Sequence, residues 1–200
     1  MSSVVLSGDT SGTVTLTVPA VAGTNTVTVP AGTGTMAVQG VSTNIVSGTA
    51  VASTSGTAID FTSIPSWVKR ITVMFNGMSL SSNTPYAIVQ LGAGSVTTSG
   101  YLGTLTTLIS ASTVSTLATT TGFYFGNFAA AADTVNGQMV LTLQNSTNWV
   151  ASGTFSNTNN LRGVFTAGNL SLGGTLDRIR ITTTNGTTTF SAGSINILYE

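Results

Sequence analysis

Twice in the first third of this chain, a run of alternating threonine and aliphatic residues stops at the same Val-Pro-Ala. Thr13-Val14-Thr15-Leu16-Thr17-Val18-Pro19-Ala20 is matched, eleven residues on, by Thr24-Asn25-Thr26-Val27-Thr28-Val29-Pro30-Ala31. A period of two is the pattern of a strand with one apolar face. Pro donates no backbone hydrogen bond, so each strand is expected to end there. Ala22-Gly23 and Gly32-Thr33-Gly34 supply turns. Val14, Leu16, Val18, Val27 and Val29 then make a narrow aliphatic stripe. Ribbons of two short strands rarely hold together alone in water. Three chains around a common axis could bury these stripes against one another; alternatively, the strands add to the core of the remaining chain. Thr/Val strands carry little volume for a monomer core, which favours the inter-chain arrangement.

Residues 1–60 hold no aromatic side chain, and their only charges are Asp9 and Asp60. From Gln39 to Thr57 the chain is small and polar, interrupted by Ile45, Val46 and Val51, and reads as an extended or weakly paired connector. Aromatic residues begin at Phe61, which sets the expected boundary. Residues 1–60 form an N-terminal β-rich assembly and attachment segment with its connector, and residues 61–200 form a C-terminal β domain.

Strand patterns recur through that domain. Ile71, Val73 and Phe75 alternate with Arg70, Thr72 and Met74, and Asn76-Gly77 signals a turn or bulge. Tyr86 to Leu91, Phe123 to Phe125, Gln138 to Gln144, Trp149 to Phe155, Arg162 to Leu172, Arg178 to Ile181 and Thr188 to Tyr199 read the same way. No stretch keeps a 3.6-residue apolar period over three turns. Roughly eight strands joined by Gly/Asn turns predict an all-β fold: an extended fibrous β segment followed by a jelly-roll-like β-sandwich.

Charge narrows the function. Only ten residues are charged, five of each sign, and there is no histidine or cysteine. Disordered chains combine low hydrophobicity with high net charge, the opposite of this one. A neutral chain has no basic patch to capture nucleic acid or an anionic membrane. No apolar run approaches the length of about 20 residues that spans a bilayer. The start, Met1-Ser2-Ser3-Val4-Val5-Leu6, lacks the basic and apolar regions of a signal peptide. Without histidine or cysteine, Ser/His/Asp and Cys/His catalysis is excluded. The carboxylates Asp9, Asp60, Asp133, Asp177 and Glu200 form neither a glycosidase pair nor an Asp-x-Asp calcium cluster, so no catalytic residue, metal or cofactor is expected. A surface this poor in charge is a solubility liability for a free monomer, and points to an oligomer.

For ligand binding, Trp149 with Asn145, Asn148 and the loop Asn157-Thr158-Asn159-Asn160 supplies an aromatic platform and neutral amides, the groups that recognise sugars. Trp149, Asn157, Asn159 and Asn160 are the candidate receptor-binding residues. The competing reading makes Trp149 a core residue and the Asn run an ordinary turn; Tyr86 and Tyr101 stand under the same alternatives.

Ser7-Gly8-Asp9-Thr10-Ser11-Gly12 followed by the Val-Pro-Ala repeat resembles a segment of tailed-bacteriophage virion proteins, tail fibres above all. Ile64-Pro65 to Phe75, Leu176-Asp177-Arg178-Ile179-Arg180-Ile181 and Ala192 to Glu200 are similar to stretches of the C-terminal domains of such proteins. The resemblance implies a virion component made in the host cytoplasm, with a homotrimeric build. Its N-terminal region would attach to other virion proteins, and its β tip would meet a host surface such as a glycan. A capsid decoration or head-fibre protein fits the same residues. A secreted carbohydrate-binding module is the third alternative, opposed by the missing signal peptide.

Overall fold

The computed structural model describes residues 3–7, 13–17, 23–24, 45–83, 86–110 and 113–200. The chain divides into two units, Met1–Val38 and Gln39–Glu200. In the first, β1 (Ser3–Ser7) and β2 (Thr13–Thr17) form an antiparallel pair whose register sets Val4 opposite Leu16 and Leu6 opposite Val14. The first copy of the repeat is thus a strand, and its partner is the stretch before it. The second copy from residue 25 on, Val18, and the connector between 39 and 44 lie outside the described residues.

In the second unit the chain is strand after strand. They are β3 (Val46–Ser47), β4 (Val51–Ala52), β5 (Ala58–Thr62), β6 (Arg70–Leu80), β7 (Tyr86–Ala93), β8 (Ser95–Val96), β9 (Leu102–Ser110), β10 (Thr113–Thr119), β11 (Phe123–Asn127), β12 (Val135–Asn145), β13 (Asn148–Asn157), β14 (Arg162–Ser171), β15 (Arg178–Thr183) and β16 (Phe190–Tyr199). No helix occurs among the described residues. The larger sheet runs β10-β9-β14-β13-β12-β6-β16, with β3 and β4 on the far side of β16. The smaller runs β11-β7-β15-β5, with β8 beside β7. Every strand pairing is antiparallel.

Alternation explains how the sheets meet. Ile71, Val73 and Phe75 of β6, Met139 and Leu141 of β12, Val89 and Leu91 of β7, and Ile179 and Ile181 of β15 are buried in one shared core. Phe75 carries the contact between sheets: its ring centre lies 4.2 Å from that of Phe125 on β11 and 5.7 Å from that of Phe155 on β13. Tyr101 is fully buried. Its hydroxyl accepts from the Leu91 N–H at 2.8 Å and donates to the Thr97 carbonyl at 2.9 Å, tying the approach to β9 onto β7. Burial pushes its phenol pKa well up, although the Leu91 hydrogen bond pulls the other way. Tyr86 is half-buried and stacks on Tyr124 at 5.5 Å.

Asn76-Gly77 makes a bulge inside β6, not a turn. Val135 pairs with Met78 and Gly137 with Phe75, so two residues of β6 face the single Asn136, whose side-chain oxygen accepts from the Gly77 N–H at 2.7 Å. Opposite it, Gly193 takes φ +89°, and a Cβ there would stand 2.4 Å from the Gly77 backbone, so only glycine lets β16 close on the bulge.

The division between units falls at Val38–Gln39, earlier than the first aromatic, Phe61. β3 and β4 pair with β16, and β5 pairs with β15. Two-residue strands attach through backbone hydrogen bonds and carry no alternation by which they could be read.

Candidate functional site

The proposed sugar kit does not assemble. Trp149 is 2% exposed and stands in the core between its cross-strand partners Leu143 and Leu170, so its ring offers no face to a ligand. This corrects the platform reading in favour of the core one: inward alternation on β13 commits residues 149, 151 and 155 to the interior. Asn145 and Asn148 close the β12–β13 hairpin beside it. Asn157, Asn159 and Asn160 lie at the other end of β13, about 26 Å away at the rise of an extended strand.

There the amides serve Asp133. This buried carboxylate accepts from the Ala129 N–H at 2.6 Å, the Ala130 N–H at 3.1 Å, and the side chains of Asn160 and Asn157. Asn159 donates to the Ala132 carbonyl. Burial penalises the charge, but these four donors together outweigh it and hold the carboxyl below its ordinary value. The cluster pins the loop before β12 to the turn after β13. Asn157 is itself buried and serves this cluster, while Asn159 is exposed and Asn160 half-buried at the turn after β13.

The other described acids are likewise engaged. Arg180 clasps Asp60 with two bonds of 2.7 Å, and that hydrogen bonding holds the guanidinium pKa above its usual value. Arg178 hydrogen-bonds Asp177, which lowers the carboxyl pKa, and Arg70 pairs with Glu200. Among the described residues, no three metal-ligating side chains cluster. A groove of about 380 Å³ on the smaller sheet is lined by Gln90, Thr121, Arg180, Thr182 and Asn185. Its polar groups are spent on one another: Gln90 donates to the Thr121 carbonyl and Thr182 to the Thr57 carbonyl, each at 2.8 Å.

The outward face of the larger sheet is different. Met74, Gln138, Thr154, Phe165, Thr106 and Thr116 lie side by side across six strands. The neighbouring row adds Thr72, Val140, Ser152, Ala167, Thr104 and Ala118. Neither row contains a charge; Arg70, paired with Glu200, marks one end. Phe165 is 44% exposed and rims a depression of about 330 Å³ shared with Gln138, Val140 and Thr154. Val150, Leu108 and Val114 are also exposed, so a broad neutral surface presents apolar side chains to its surroundings.

No protein-family model, curated protein or solved structure matches this chain. The face must be understood from its own chemistry. Such a surface meets another neutral surface without a desolvated charge on either side. Phe165 went unnoticed in the sequence because it sits beside Val164, and an apolar pair does not reveal which member points outward. Trp67 is the second residue missed. It is half-exposed in the loop before β6, with Tyr199 at 5.8 Å, and forms the aromatic surface that Trp149 does not.

Proposed function

We propose that this chain is a structural component of a tailed-phage virion, a short tail fibre used for host-surface attachment. In this reading it assembles as a homotrimer and joins other virion proteins through its N-terminal segment. The second unit, a jelly-roll-like β-sandwich, turns toward the host. The observation that carries the assembly part is the pair of adjacent uncharged, partly apolar rows on the outward face of the larger sheet. Nested pairing of β6 with β16, β7 with β15 and β9 with β14 supports the jelly-roll winding, while the insertion of β12 between β6 and β13 departs from its simplest form. For a host glycan, the half-exposed Trp67 beside Tyr199 supplies the stacking surface.

A capsid decoration role is the second reading. The same face favours it, since its two adjacent uncharged rows suit lateral packing on a shell. Both readings require self-association. Multi-angle light scattering of the full chain is expected to give three times the monomer mass; a monomer at all accessible concentrations would contradict the assembly proposal.

A further inference from the structure

An unpaired sheet edge is a template for another strand, and folded proteins usually guard their edges. Three of the four edges of the two sheets in the second unit are guarded. The larger sheet ends on one side in β3 and β4, two residues each. The smaller sheet ends in β5, which carries the charged Asp60, and in β11, whose pairing is broken by a bulge between Tyr124 and Gly126. The fourth edge is β10. It is seven residues long, exposed at six of them, free of charge and proline, and regularly paired to β9 from Val114 to Thr119.

We propose that β10 pairs antiparallel with β10 of a second copy of this chain, continuing the larger sheet across a two-fold axis at Thr116. The sequence of the strand selects this occupant. With Thr116 opposite Thr116, Val114 falls opposite Ala118 and Ser115 opposite Leu117. Each pair joins a larger to a smaller side chain on one face of the sheet. Val114 is 58% and Leu117 37% exposed in the single chain, and this register covers both. No charge lies on β9 or β10 to repel the copy. A partner with a charged strand would find no counter-charge there. A contact of one strand pair is small by the measure of stable interfaces, so it forms at high local concentration. It needs no trimer, and combined with one it links trimers in pairs.

The chain has no cysteine, so Thr116→Cys introduces its only thiol. Residues directly opposite in an antiparallel pair have Cα atoms about 4.5–5.5 Å apart, within disulfide reach. Under mild oxidation the T116C full chain is expected to form covalent dimers at least several-fold faster than T187C, whose thiol would sit on an exposed turn. Adding Leu117→Lys to T116C should return the rate to that of T187C. Circular dichroism would confirm that each variant is folded. Equal rates for T116C and T187C in folded protein would overturn the proposal, as would cross-linking that L117K leaves unchanged. Failure of the trimer by light scattering would leave this result standing.

Discussion

Phe75→Ala is expected to cost about 3–5 kcal/mol, the range for emptying a buried aromatic site. The ring joins β6 of the larger sheet to β11 of the smaller and touches Phe155 as well, so alanine leaves a void where the two sheets meet. Folded domains hold only about 5–15 kcal/mol in total, so this one change removes a large share. Phe165→Ala, on the exposed face, should cost only about 0.5 kcal/mol by comparison. Urea unfolding followed by circular dichroism measures both. Equal costs at the two positions would mean that the sheets do not pack on Phe75 as described.

Asp133→Ala should follow closely, at about 2–4 kcal/mol, because it leaves the donors of Ala129, Ala130, Asn157 and Asn160 without their shared acceptor. The pH dependence has a definite sign. The folded carboxyl lies below its ordinary 3.8, so the unfolded chain binds the proton more readily. Its stabilisation is therefore complete above that ordinary value and is lost as pH falls through the folded one. Wild type should lose stability below about pH 4, and the difference between wild type and D133A should shrink across the same range. A constant difference between pH 7 and pH 3 would show that the charge of Asp133 is not what holds the loop.

Much of the all-β character was legible because Thr and the aliphatic residues alternate, and alternation states which side chains enter a core. Alternation sets Ile71, Val73 and Phe75, Met139 and Leu141, and Ile179 and Ile181 each on one side of their strands, and they are buried together. What escaped was whatever alternation does not encode. The β9–β10 hairpin runs Leu-Gly-Thr-Leu-Thr-Thr-Leu-Ile-Ser and then Thr-Val-Ser-Thr-Leu-Ala-Thr, with leucines on both faces: Leu105 enters the core while Leu102, Leu108 and Leu117 stay exposed, so no single apolar parity marks the pair. β3 and β4 are too short to show any period. The candidate site failed for a related reason. A tryptophan among asparagines looks like a sugar platform, but parity along β13 turns Trp149 inward, and the asparagines at 157, 159 and 160 lie a strand's length away around Asp133.

Immunogold labelling of intact virions with an antibody against this chain tests most directly the proposal that it is built into a phage particle. Label at the tail tip or baseplate is the predicted result, and label spread over the head would transfer the assignment to capsid decoration. Particles that carry no label while their lysate contains the protein would contradict the account.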